Sequence, residues 1–356
     1  MNSQRLDALH RKLSSARLDA FLVTFLPHIR YLTGFSGSNG LCVITDSRHA
    51  FLTDGRYREQ VKEEVRGFRT VIASDSLLKT AAQRKLVPVR GRIGYQAQYL
   101  TVAELNNVKK LLPHARLVAT NGLVEEITVV KDVSEIQLLK QAVAITDKVF
   151  TKLLRIIKPG VRECDVAAEI SYLHRKEGAE ADAFEPIVAS GLRGALPHAR
   201  ATEKKIAKGE LITIDMGGRF KGYHSDMTRT VAVGKPSPRA RKMYQVVADA
   251  QQLAIESAGS GMSGKALDAV ARTYIKKKGY GKYFNHSLGH GLGLQIHELP
   301  RLSALSKDML ASGTVVTIEP GVYIPGVGGV RIEDDVIIRN GYCEVLNRSP
   351  KELIIL

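Results

Sequence analysis

GELITIDMG, Gly209 to Gly217, and GTVVTIEPG, Gly313 to Gly321, are two versions of one pattern. Aligned on their glycines they agree at Gly209/Gly313, Thr213/Thr317, Ile214/Ile318 and Gly217/Gly321, and they set Asp215 opposite Glu319. Each is a short, β-branched apolar run bounded by glycine, which is the mark of a buried strand. Each then passes through a turn-rich stretch (GGRFKG, 217 to 222; PGVGG, 325 to 329) into a second extended segment, HSDMTRTVAV or VRIEDDVII. Two antiparallel hairpins are expected, with Asp226 facing Asp215 and Glu333 facing Glu319. Four carboxylates then converge.

Buried and unpaired, such a cluster costs several kcal/mol per charge unless protons or cations neutralise it. A glycine-rich stretch lies between the hairpins, HSLGHGLGLQIHELPR from His286 to Arg301. His290 sits there between Gly289 and Gly291, where missing side chains permit close backbone approach. Asp215, Asp226, His290, Glu319 and Glu333 make an oxygen-rich donor set without thiolate. That set suits Mn²⁺ or Co²⁺, tolerates Zn²⁺, and argues against thiolate zinc or copper sites.

At these residues the chain resembles the metal-dependent Xaa-Pro peptidases of the pita-bread fold, prolidase and aminopeptidase P, with methionine aminopeptidase and creatinase as more distant relatives. The resemblance covers essentially the whole chain and matches five metal ligands in order. It implies two divalent ions, Mn²⁺ first, with Asp226 and Glu333 bridging them, Asp215 on one, and His290 and Glu319 on the other. It further implies that His198, in ALPHA, and His297, in IHELP, position substrate and stabilise the intermediate, and that Glu319 shuttles a proton. His286 and Arg331 match further pocket positions that would touch substrate. Two ions can polarise a carbonyl and acidify a water, and the reaction implied is hydrolysis of the bond before proline, a tertiary amide with no N–H.

Arg301 directly follows HELP, where similar prolidases carry an arginine that clamps the free carboxylate of a dipeptide; a guanidinium fork fits a carboxylate at two points. YLTGFSGSNG (Tyr31 to Gly40) and TDGRY (Thr53 to Tyr57) instead look like aminopeptidase P, which acts on longer peptides. The reading adopted is a dipeptidase, with the aminopeptidase as the alternative. Non-catalytic binding proteins also share this fold but lack the ligands, and creatinase-type hydrolysis does not use the metal pair. Neither suits a chain that carries all five.

The chain has 356 residues, 44% of them hydrophobic, more than one core normally supports. A smaller α/β domain is expected over residues 1 to 129, creatinase-like by resemblance. An α+β pita-bread catalytic domain with internal pseudo-two-fold symmetry follows over 130 to 356. Ser134 with Gln137 reads as a capping box opening a long helix at the boundary, which Lys158-Pro159-Gly160 ends. Further helices are expected near 163 to 177, 239 to 258 and 264 to 278.

The formal net charge is +16, but Lys and Arg are spread along the chain and no nucleic-acid-binding motif accompanies them, so no nucleic-acid partner is expected. No apolar run reaches the roughly 20 residues of a membrane span, and the amino terminus lacks an apolar signal core. A cytoplasmic enzyme with no membrane partner is expected. Its three cysteines, Cys42, Cys164 and Cys343, form no CxxC pattern and no disulfide framework. The resemblance also implies a homodimer, in which the amino-terminal domain covers the neighbour's site, and substrates that are proline-containing dipeptides or short peptides.

Overall fold

A computed structural model describes the backbone from Asn2 to Leu356 and side chains from Gln4 onward. The chain divides into two compact units, Met1–Thr128 and Val129–Leu356.

In the first unit, strands β1 (Ala20–Val23), β2 (Leu41–Thr45), β3 (His49–Asp54), β4 (Arg69–Ala73), β5 (Gly91–Gln96) and β6 (Ala115–Thr120) form one sheet in the order β4-β3-β2-β1-β5-β6. β1, β5 and β6 run parallel, as do β3 and β4, and the β1–β2–β3 pairings are antiparallel. Leu22, Val43, Leu52, Val71 and Ile93 share one core with Val108 from the helix Val102–Leu111. That helix opens on a capping box in which Thr101 and Glu104 satisfy each other's backbone N–H groups.

The second unit is built twice over. β7 (Ala181–Asp182) and β8 (Ile187–Ser190) precede β9 (Leu211–Met216), the small hairpin β10 (Gly218–Phe220) and β11 (Tyr223–His224), then β12 (Met227–Ala232). After β13 (Gly289–Gly291) and β14 (Glu298–Leu302) the pattern recurs: β15 (Val315–Ile318), the hairpin β16 (Gly321–Ile324) and β17 (Gly328–Arg331), then β18 (Asp334–Ile338), edged by β19 (Cys343–Val345). β12-β9-β8 make one sheet and β14-β13-β15-β18-β19 another.

Each half has its own core. Ile212, Ile214 and Met216 of β9 lie with Met227 and Val231 of β12 against Val149, Phe150, Val166 and Ile170, from the helices Val133–Leu153 and Glu163–Lys176. Val316 and Ile318 of β15 lie with Val336 and Ile338 against Val247, Ala250, Leu267 and Ala271, from the helices Pro238–Ser257 and Gly264–Lys277. Burying each such Val, Leu or Ile contributes about 1.5–3 kcal/mol. Strand side chains alternate between faces. The residues between those core positions, Thr213 and Asp215 on β9 and Thr317 on β15, with Glu319 next in the same alternation just past the strand, therefore turn to the seam between the halves. There Thr230 Oγ donates to the carbonyl of Arg331 at 3.0 Å. The repeated motif thus decides which side chains reach the site.

Two local expectations need correction. The long helix is capped by Asp132, whose carboxylate accepts from the backbone N–H groups of Ser134 and Glu135 at 2.9 Å, while Glu135 reaches back to Asp132 N at 3.0 Å. Asp132 stands at the N-cap itself whereas Ser134 is already the second helical residue, so the Asp carboxylate displaces the Ser134–Gln137 box. The helix also stops at Leu153, short of Lys158-Pro159-Gly160. Among the described residues, no helix is long and apolar enough to cross a membrane, and all three cysteines are free.

Candidate metal centre and active site

Asp215 is the fifth residue of β9, and Asp226 directly precedes β12. The register pairs Asp215 with Thr228 and Met216 with Met227, so Asp226 sits diagonally from Asp215 and not across from it. The small hairpin between the strands absorbs the difference. In the second half Ile318 pairs with Asp334, which sets Glu319 and Glu333 one step further along the same ladder.

His290 is held by sterics. A Cβ on Gly289 would lie 2.0 Å from the carbonyl oxygen of Thr317, and one on Gly291 would lie 2.1 Å from that of Leu299. Only glycine lets β13 thread between its neighbours and project the imidazole into the seam.

The side chains converge. One ligand atom from each of Asp226, His290 and Glu333 can be chosen so that all three lie within 4.8 Å of one another. His290 Nε2 is 3.6 Å from Asp226 Oδ2 and 3.5 Å from Glu319 Oε1. Its Nδ1 lies 3.1 Å from the Gly291 carbonyl, which accepts only from a protonated Nδ1. Burial, and then the nearby His297, lower its pKa to about 4, so the ring is neutral and Nε2 carries a lone pair. A lone pair aimed at two carboxylates is repulsive without a cation among them.

The acids show the same frustration. Burial first, then Glu333, Asp215, Asp335 and Glu319, push Asp226 well above the usual carboxylate range. Burial and Glu333 raise Glu319, and burial followed by Asp215 raises Glu333 to about 8. Asp215 Oδ1 is buried with no hydrogen-bond partner. Thr228 donates to Glu333 Oε2 at 2.7 Å, which leaves most of the charge uncompensated. The donor set therefore fits divalent cations, by its chemistry and by the protons it must otherwise hold.

A cavity of about 580 Å³ opens onto this cluster. All the residues singled out from the sequence line it: Asp215, Asp226, His290, Glu319 and Glu333, together with His198, His286, His297, Arg301 and Arg331. His198 and His297 are exposed in it, and the His297 ring stands edge-on to His290 with centroids 4.4 Å apart. Burial, then Arg301 and His198, lower the pKa of His297, so it is neutral near pH 7.

Two of these side chains have their polar atoms committed elsewhere. The Arg331 guanidinium donates to Asp215 Oδ2 at 2.5 Å, Tyr323 Oη at 2.8 Å, Thr228 Oγ at 2.9 Å and the Pro197 carbonyl at 3.1 Å. His286 Nε2 meets the same Tyr323 hydroxyl at 3.0 Å, and its Nδ1 lies 2.8 Å from the Ser287 carbonyl. Tyr323 thus ties His286 to Arg331 and hence to Asp215. The sequence reading missed Tyr323; its one signal was a tyrosine inside the second repeat's hairpin. Arg301 differs from Arg331. It is exposed on the cavity wall, its backbone N–H donates to Asp308, and its guanidinium has no hydrogen-bond or ion-pair partner among the described residues.

Known proteins resemble the chain along its whole length. Residues 137–340 match the model of metallopeptidase family M24, and residues 5–130 match the creatinase/prolidase N-terminal domain. A Xaa-Pro dipeptidase of Pyrococcus furiosus is 36% identical over 99% of this chain and 99% of its own. The solved structure of a Xaa-Pro dipeptidase from Bacillus anthracis superposes with a TM-score of 0.97 at 41% identity, covering 100% of both chains. That of an X-Pro aminopeptidase from Thermotoga maritima does so at 0.90 and 34%, covering 95% of this chain and 98% of the other. The doubled strand-hairpin-strand unit is accordingly a pita-bread catalytic domain, and the chain belongs to metallopeptidase family M24, with a creatinase/prolidase-type domain at its amino terminus.

Proposed function

We propose that this metallopeptidase hydrolyses Xaa-Pro dipeptides. Asp215, Asp226, His290, Glu319 and Glu333 would hold two divalent ions, Mn²⁺ before Co²⁺ or Zn²⁺, because oxygen donors outnumber nitrogen and sulfur is absent. Bound there, the ions supply Lewis acidity for the scissile carbonyl and for an attacking water. Glu319 is the proton carrier: its carboxylate lines the cavity beside the ligand cluster, where it can take the proton of the attacking water and pass it to the departing nitrogen. His297, neutral and exposed in the cavity, donates a hydrogen bond to the carbonyl oxygen as charge develops there. His198 holds the substrate from the opposite stretch of chain. Arg331, His286 and Tyr323 keep Asp215 in place and leave the open part of the cavity to the peptide.

The observation that carries the dipeptidase reading is the uncommitted guanidinium of Arg301 on the wall of that cavity. A two-residue substrate presents its carboxylate one residue beyond the scissile bond, and a longer peptide does not. Likeness to the Pyrococcus and Bacillus dipeptidases supports the same reading, and likeness to the Thermotoga aminopeptidase supports the alternative.

The test is kinetic. With Mn²⁺, Leu-Pro and Gly-Pro are expected to be cleaved with higher kcat/KM than a longer Xaa-Pro peptide. Arg301→Ala should raise KM for the dipeptides roughly 10- to 100-fold, the worth of a charge-assisted contact of about 1.5–3 kcal/mol. Its effect on the longer peptide should be small. Equal turnover of both substrate classes by wild type would make the enzyme an aminopeptidase.

A further inference from the structure

Behind the carboxylate cluster, on the side away from the cavity, a second set of charges joins the two halves. Arg229 of β12 is buried, with 1% of its surface exposed, and all five of its N–H donors are used. They go to the carbonyls of Thr228 (3.0 Å), Glu333 (2.5 Å), Ser349 (2.9 Å) and Pro350 (3.1 Å) and to Asp334 Oδ1 (2.7 Å). Asp334 is also fully buried, and its other oxygen accepts from Gln251 at 2.8 Å and faces Lys351 Nζ at 3.1 Å. Asp335, the next residue, accepts from the backbone N–H of Asp226 at 3.0 Å and gives its own N–H to Asn347 Oδ1 at 2.7 Å.

The arrangement is reciprocal. Arg229, from the first half, grips the carbonyl of Glu333 in the second, and Asp335, from the second, grips the amide of Asp226 in the first. Residues 347–351 close both grips, since Asn347, Ser349, Pro350 and Lys351 each supply a partner. The segment is itself tied down: Asp147 accepts from the N–H groups of Arg348 and Ser349 and from the Ser349 hydroxyl, and Tyr244 Oη donates to the Lys351 carbonyl. Beyond it, Ile354 and Leu356 pair with Ala232 at the end of β12. The buried Arg229 and the partly exposed Lys351 both face Asp334 and balance its charge, the condition under which buried charge is tolerated, while Asp335 is held by the two backbone bonds given above.

We propose that residues 347–351 are a positioning strap: through Arg229, Asp334 and Asp335 they fix the separation of Asp226 and Glu333 and thereby set the affinity for divalent ions. The inference rests on the reading of Asp226 and Glu333 as metal ligands. Neither the strap nor Arg229, Asp334 and Asp335 line the active-site cavity, so the expected effect lies in metal affinity and not in substrate contacts. Partners that orient metal ligands typically alter affinity 10- to 100-fold when removed.

Full-length protein stripped with chelator would be titrated with Mn²⁺ by calorimetry, and its thermal melting followed in EDTA. Lys351→Met and Asn347→Ala are each expected to weaken Mn²⁺ binding roughly 10- to 100-fold, while the metal-free protein, melting lower for the partner lost to Asp334 or to the Asp335 N–H, stays folded at the temperature of the titration. Lys351→Arg, which keeps the charge, should restore binding, and Glu352→Ala, exposed beside the strap, should behave as wild type. Wild-type affinity in Lys351→Met would overturn the proposal, and that variant alone decides it if Asn347→Ala does not fold. Wild-type protein that binds no Mn²⁺ would instead overturn the ligand assignment, and the strap with it.

Discussion

Asp226→Asn is expected to abolish tight binding of divalent ions, to lower peptidase activity by roughly a thousandfold or more, and to raise the stability of the metal-free protein. The first two effects follow from geometry. Asp226 Oδ2 lies 3.6 Å from His290 Nε2, and Asp226 belongs to the one three-residue group, among the described residues, whose ligand atoms fall within 4.8 Å of each other. The third separates this site from an ordinary buried ion pair. Asp226 is raised by burial and by four surrounding acids, so removing its charge relieves repulsion in the absence of metal. Calorimetric titration with Mn²⁺ and melting in EDTA would show both signs in one variant. A variant that keeps wild-type metal stoichiometry, or that melts lower than wild type in EDTA, contradicts the account.

Removing the metal should also make stability fall steeply as pH rises from about 6.5 to 8.5. Glu333 has a folded-state pKa of about 8 against an ordinary 4.5, and Asp226 and Glu319 are raised in the same direction. Over this window the folded metal-free protein holds protons that the unfolded chain has already released. Stability from these groups is therefore complete below the unfolded pKa and is lost as pH climbs through the folded one. At one pKa unit per 1.36 kcal/mol, the loss is on the order of a few kcal/mol. The buried histidines work in the opposite sense. His286 and His290 have pKa values lowered to about 3 and about 4, chiefly by burial, so they lose stability only as pH falls below their ordinary value of 6.5. The window above 6.5 thus belongs to the carboxylates. Saturating Mn²⁺ should flatten the slope, because bound cations favour the ionised acids. Melting temperatures at pH 6.5, 7.5 and 8.5, with EDTA and with Mn²⁺, provide the comparison; an EDTA series that rises with pH would rule the explanation out.

Much of the site was legible because the repeat encodes it twice. Alternation along GELITIDMG and GTVVTIEPG sends the isoleucines to the cores and the acids to the seam, and period two is a property of any strand. Asp215, Asp226, His290, Glu319 and Glu333 all line one cavity as a result. Register was less accessible. The hairpin Gly218–His224 shifts Asp226 to a diagonal position that hydropathy cannot report. The commitments of Arg331 were hidden too, since a pocket arginine reads alike from sequence whether it meets a substrate or, as here, Asp215 and Tyr323. In the first unit the helices Leu26–Thr33 and Leu77–Gln83 were not foreseen. Both are short, and LPHIRYLT mixes β-branched and aromatic residues with weak helix propensity, so its order comes from burial of Ile29, Tyr31 and Leu32. The return of residues 347–351 beneath the ligand strands was invisible for a similar reason, because its bonds are made largely to and by main chain.

The threading of β13 carries a consequence for how this chain can drift. At Gly289 and Gly291 a single added methyl collides with an oxygen on a neighbouring strand, one on either side. No accommodating rotamer exists for a methyl, so substitution at either place demands that whole strands part. The orientation of the imidazole between them is therefore guarded by shape alone, and a lineage exploring new substrates can rework the cavity wall far more readily than it can re-aim that ring.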